Sequence, residues 1–346
     1  MFSAPCFGAS DEGETLKQAL TGEAGKILQE VEPGSMDAAK GFSAIGRTAV
    51  NRLRTGMKNA MGAAFSTAVV CLLFSLINSF SKSSGITLPG RALDFAGTTA
   101  LAVINFSRHG TMLSLCNGTV TELEHFTKLL TTVYAGISVL AGKPAAGAAT
   151  AGAAMLFSDV LFLLCRQIFL PAITLCVLMT YAGTVSENNA LMQGARIGKW
   201  ALTWFFRLFL AAYFAYLTFA GLISGAADAA AVRMAQGLST AVPLVGTILA
   251  GASETLLSGA AVLRNGIGFF GFLGVLAICL TPFVQAVCYL LVFKAVAVLC
   301  APFTDGGMRT MMDTFSDAYG MMVGILGACC AMQFLTVVVS LTVTGR

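Results

Sequence analysis

Residues 267–300 read IGFFGFLGVLAICLTPFVQAVCYLLVFKAVAVLC, with one charged side chain, Lys294, and one proline, Pro282. As a single α-helix this stretch extends about 51 Å at about 1.5 Å per residue, well beyond a hydrocarbon layer of about 30 Å. It predicts helical membrane structure, either a kinked long helix or a tight hairpin.

The rest of the chain agrees. Of 346 residues, 56% are hydrophobic and 11% are charged, where a soluble globular chain carries roughly 25% charged residues. Mean hydropathy is +0.80. So few charges do not build a water-facing surface. The composition argues against an ordinary cytosolic enzyme, a disordered chain or a nucleic-acid-binding domain. Residues 1–60 hold 7 of the 21 Lys and Arg and 7 of the 17 Asp and Glu. A short polar head therefore precedes a long apolar body.

Three regions follow: a polar segment 1–36, a basic amphipathic helix 37–60 and a polytopic membrane domain 61–346. The opening MFSAPCFGAS has no basic start and no full apolar core. It reads as a mobile N-terminus, or as the tail of a leader whose start is missing. In 37–60, Phe42, Ile45, Ala49, Leu53 and Met57 recur at helical spacing, with Arg47, Arg54 and Lys58 elsewhere on the wheel. That pattern suits a helix in the membrane interface or one packed on a partner.

The expected fold is all-α, a polytopic membrane protein of six to eight membrane segments, some broken or re-entrant. A first span covers 62–80, and 92–107 and 126–142 are weaker candidates. Between those two, Arg108, His109, Glu122, Glu124 and His125 are expected in a loop or at the interface. Further spans are expected over 155–183, 200–223, 267–300 and 318–343. The small-residue run 145–154 suits close helix approach. Orientation stays open: the basic cluster before the first span argues for a cytoplasmic N-terminal side, and a cleaved leader for the opposite.

The candidate site residues are ionised or helix-breaking groups at membrane depth, where charge is costly and faces protein or water. Asp159 and Arg166 are seven apart, two turns on one helix face. They predict either a polar track for an ion or solute, or a pair that fixes helix register. The stretch 224–265 is rich in Gly, Ala and Ser and carries Asp228, Arg233, Pro243, Glu254, Arg264 and Asn265. It reads as broken helices buried in protein or lining a polar cavity. Gly266-Ile-Gly-Phe-Phe-Gly271 has the GxGxxG spacing without the strand that dinucleotide binding needs, so it reads as helix packing, as does Gly320-Met-Met-Val-Gly324. The ten cysteines sit mostly in apolar runs without CxxC spacing and read as core residues. The two histidines have no metal-spaced partners. No cofactor and no catalytic set is expected. No P-loop is present, so an ATPase serving this protein would be another chain.

Ser224-Gly-Ala-Ala-Asp228, Ala241-Val-Pro-Leu-Val-Gly246, Glu254, Leu263-Arg-Asn-Gly-Ile-Gly268, the run around Pro282 and Ala301-Pro302 follow one another in an order that resembles the stage III sporulation protein AE family. Ala148–Phe157, Leu170-Pro171 and Lys199-Trp200 also fit. The resemblance covers about 145–345. Gly246-Thr247 stands where the family has paired glycines, Ser253-Glu254 where it has an acidic pair, and Arg264 where lysine is common. The resemblance implies an endospore-forming bacterium and the mother-cell membrane around the forespore. It implies a non-enzymatic subunit of a secretion-like transenvelope channel, with other membrane subunits, a separate ATPase and a possible homo-oligomer as partners, and no nucleic acid. On the residues alone, a stand-alone secondary transporter and a non-conducting scaffold remain rivals.

Overall fold

The computed structural model describes residues 38–83, 90–140, 144–209, 211–213, 215, 245–304 and 306–345. Helix α1 is Ala38–Ser83, α2 Gly90–Leu140 and α3 Pro144–Leu164. A π-helical turn, Cys165–Phe169, leads into α4, Leu170–Val185. Helix α5 covers 189–209. Helix α6 is Val245–Cys300 and α7 is Gly306–Gly345.

Among the described residues, four stretches are long and apolar enough to cross a membrane: Ile45–Phe80, Met155–Val185, Gly268–Cys300 and Gly306–Val338. Six to eight were expected. The difference has two sources. The weak candidates 92–107 and 126–142 fuse into α2, a single helix of 51 residues whose middle carries Arg108, Glu122, Glu124 and Lys128. The expected loop around those residues is therefore helix. The expected span 200–223 is described as far as 209, with only isolated residues beyond.

The hairpin alternative for 267–300 is overturned, and the part of 224–265 that is described, from Val245, is unbroken helix. Val245–Cys300 is one helix of 56 residues with a buried Pro282 inside it. In apolar surroundings a helix is the cheapest way to satisfy successive backbone groups, and small side chains alone do not interrupt it. Pro171 has a different consequence. It cannot donate to the carbonyl four residues back. The neighbouring turn widens, and the Leu170 N–H bonds the Cys165 carbonyl five residues back, which makes the π turn.

The core centres on α7. Met311, Phe315, Tyr319, Met322 and Cys329 of α7 are buried against Phe126 and Leu130 of α2, Leu161 and Phe162 of α3, and Leu273 of α6. A smaller cluster joins Cys71 of α1, Leu101 of α2, Cys300 of α6 and Met312 of α7. Helix α6 approaches α2 through glycine. A Cβ at Gly271 would stand 2.8 Å from Leu130 Cδ1, and one at Gly274 would overlap the Phe126 ring. Gly271, the last glycine of the GxGxxG stretch, thus serves helix packing.

Two local devices set the ends of this core. The Gly307 N–H donates to both Asp94 carboxylate oxygens, at 3.2 and 3.1 Å, so α2 caps the positive end of α7. Gly306 beside it has φ +62°, and a Cβ there would meet the same carboxylate. Arg309 and Asp313 lie on the helix so started. At the other reversal, the Ala190 N–H donates to Asn188 Oδ1 at 2.9 Å and caps α5.

The amphipathic segment 37–60 runs without a break into the first span as α1. Its Gly56 lies against α6, where a Cβ would be 3.3 Å from Cys288 Sγ. Ile45 joins the main core.

Candidate functional site

Besides the exposed Arg91–Glu187 pair, charged side chains join helices at two levels of the bundle. At one level Lys199 Nζ donates to Asp317 Oδ2 at 3.0 Å, joining α5 to α7. Lys294 of α6 borders the same cleft. Trp200 and Trp204 stand exposed beside it with ring centroids 6.2 Å apart.

At the other level four side chains form a ladder of alternating sign. Lys128 Nζ bridges Asp159 Oδ1 at 3.4 Å and Glu124 Oε1 at 2.8 Å. Arg166 Nη1 reaches Glu124 Oε2 at 3.0 Å. Glu124 and Lys128 are one turn apart on α2. Asp159 and Arg166 are two turns apart on the facing element. The same-face spacing read from the sequence therefore places both on one stripe, but each binds a residue of α2 and not the other. The Glu124 carboxyl is held below the usual glutamate range, first by the Lys128 hydrogen bond. The Lys128 ammonium is correspondingly raised by that bond.

The spacing of the two levels follows from α2. Phe106 packs edge-on against Phe315, two residues before Asp317, with centroids 5.6 Å apart. From Phe106 to Lys128 the helix rises about 33 Å. Between the levels, α6 from Gly274 to Val292 carries no Asp, Glu, Lys or Arg, and neither does α7 from Ala318 onward within its described length.

Helix α2 differs over the same depth. Its exposed positions between Val103 and Leu129 include Ser107, Thr111, Ser114, Asn117, Gly118 and His125. No large hydrophobic side chain is exposed in that interval. Ser107, Thr111, Ser114 and Gly118 recur at three- and four-residue steps and His125 follows two turns on, so they lie on one face. The Thr111 hydroxyl donates to the Ser107 carbonyl at 3.1 Å. The buried side of α2 is polar in part. His109 lies between the Phe315 and Tyr319 rings, at 6.1 and 6.2 Å, and neither ring nitrogen has a hydrogen-bond partner among the described residues. Arg108 Nη2 donates to Ser66 Oγ at 3.3 Å. Asn105 exchanges bonds with Thr67 at 3.3 Å.

Of the other residues singled out from sequence, Asp228, Arg233 and Pro243 lie outside the described residues. Gly246, Glu254, Arg264 and Asn265 fall on α6, with side chains outside those described. Pro282 is buried within α6. Gly320 and Gly324 depart from the packing expectation. A Cβ at Gly324 would meet nothing within 4 Å, and one at Gly320 only Leu290 at 3.6 Å. That face of α7 lines a cleft. Among the described residues, no group of three His, Cys, Asp or Glu stands together to hold a metal ion. The nine described cysteines are free thiols. The polar α2 face was missed although its period is present in the sequence. Reading 108–125 as a connection between two spans hid it.

Long helices, four of them apolar enough to span a bilayer, define a helical protein of membrane type. The sequence profile of the stage III sporulation protein AE family matches residues 23–344, and the chain belongs to that family. The stage III sporulation protein AE of Bacillus subtilis (strain 168) is 19% identical over 289 residues, which cover 82% of this chain and 70% of that protein. No solved structure matches the chain.

Proposed function

We propose that this protein is a multi-pass subunit of a secretion-like channel complex in the mother-cell membrane around the forespore. In this reading its partners are other membrane subunits, a separate ATPase and further copies of itself. Family membership supports the sporulation role. The observation that carries the rest is the exposed face of α2. That face runs about 27 Å along α2, from Ser107 to His125, with hydroxyls, an amide and an imidazole outward. Such a surface gains nothing from acyl chains. It suits a wall presented to water when subunits assemble. Glu254, Asp228 and Arg264 are proposed to add polar groups to the same interior.

A non-conducting scaffold is the second reading, favoured by the ladder. Its four charges neutralise one another across the α2–α3 contact, as register-fixing pairs do.

A cysteine scan separates the two. Ser114→Cys in sporulating cells is expected to react with a membrane-impermeant thiol reagent in the assembled complex, while Leu73→Cys on α1 stays unlabelled. Labelling of Ser114→Cys in the isolated subunit that disappears on assembly assigns α2 to subunit docking and supports the scaffold. No labelling in either state overturns a water-facing α2.

A further inference from the structure

The cleft beside Asp317 has a volume of about 640 Å³, within the range of small-molecule sites. Its floor is the α7 stripe Ser316, Gly320 and Gly324, and its walls include Phe169, Ile173 and Phe206. Gly324 leaves open space, where a packed helix would fill it. Ser316 lines the cleft, is 2% exposed, and its hydroxyl has no hydrogen-bond partner among the described residues.

The rim is unbalanced in charge. Lys199, Arg207 and Lys294 face it, against the single carboxylate of Asp317, which Lys199 already occupies. Arg207 and Lys294 have no ion-pair partner among the described residues. Arg207 lies two turns further along α5, toward the apolar part of the bundle. An unneutralised guanidinium there is costly, and an anion from a ligand removes the cost.

We propose that this cleft binds an anionic phospholipid. The phosphate meets Lys294, Arg207 and Lys199. One acyl chain lies on the Gly320–Gly324 floor against Ile173 and Phe206. The site depends on membrane placement but not on a water-facing α2.

The only two tryptophans of the chain, Trp200 and Trp204, report on it directly. The full chain is reconstituted in phosphatidylcholine nanodiscs, and brominated lipid is titrated in. Brominated phosphatidylglycerol is expected to quench at a mole fraction on the order of tenfold lower than brominated phosphatidylcholine. Arg207→Gln with Lys294→Gln should make the two lipids equivalent. Gly324→Leu, which enters open space and leaves helix packing unchanged, should weaken quenching by both. Inorganic phosphate should not compete. Equal quenching by the two lipids in the unaltered protein, or retained selectivity in the double variant, overturns the proposal. Competition by inorganic phosphate alone overturns the lipid as the source of the anion. Failure here leaves Ser114→Cys labelling unaffected, so the two proposals fall separately.

Discussion

The outward faces of α1 and α2 have opposite chemistry along stretches of similar length. Helix α1 exposes Met61, Phe65, Val69, Leu72, Leu73, Leu76, Ile77 and Phe80. Helix α2 exposes serine, threonine, asparagine, glycine and histidine from Ser107 to His125. Both helices bury their other sides in shared contacts, such as Thr67 with Asn105. The difference therefore lies in what each helix meets outside the subunit. An apolar face is at its minimum against acyl chains. A polar face of equal length needs water or another protein, because the bilayer interior supplies no hydrogen-bond partners. One side of the subunit is thus suited to lipid and the other to an assembly.

The comparison breaks most sharply with an arginine on each face. Leu73→Arg is expected to cost about 2.5–3.5 kcal/mol of membrane insertion, read as loss of membrane-integrated protein in a fractionation assay. Ser114→Arg should insert normally. Equal loss for both would mean that α2 also faces lipid.

A smaller effect separates the two glycine stripes. Gly274→Leu drives a side chain into the Phe126 ring between α6 and α2, which should cost about 1–3 kcal/mol and lower the detergent-solubilised Tm. Gly324→Leu should leave the Tm unchanged.

The smallest effect belongs to the ladder. Its side chains are 22–51% exposed, so Glu124→Gln should cost about 0.5–1 kcal/mol. In a double-mutant cycle, Arg166→Gln should add little once Glu124 is neutral. Because the folded Glu124 pKa lies below its ordinary value, this contribution is present at neutral pH. It fades as pH falls through that lowered value, so the cost of Glu124→Gln should vanish in strong acid. A cost that persists there would assign Glu124 a role beyond pairing with Lys128.

Much of this molecule was legible before folding was considered, and particular residues show where legibility stopped. The apolar runs at 62–80, 155–183, 267–300 and 318–343 announced helices of membrane type, since a long uncharged run has few other stable solutions. Asp159 and Arg166, seven apart in sequence, meet Lys128 and Glu124 respectively. That Lys128 and Glu124 would meet them was not legible, because those partners lie about forty residues earlier on a helix whose continuity was misread. The glycines at 271 and 324 look alike in sequence. One seats an aromatic neighbour and the other faces open space, a distinction made only by where α2, α5 and α6 stand around α7.

By itself, the amino-acid order determined the helical class, the apolar lengths and the family, because hydropathy and ordered motifs are properties of the chain alone. Only the tertiary structure decided which face of α2 points outward, which charge neutralises which, and which glycines leave space. Those outcomes depend on distances between helices, and an interaction energy that falls steeply with distance has no counterpart in one-dimensional spacing.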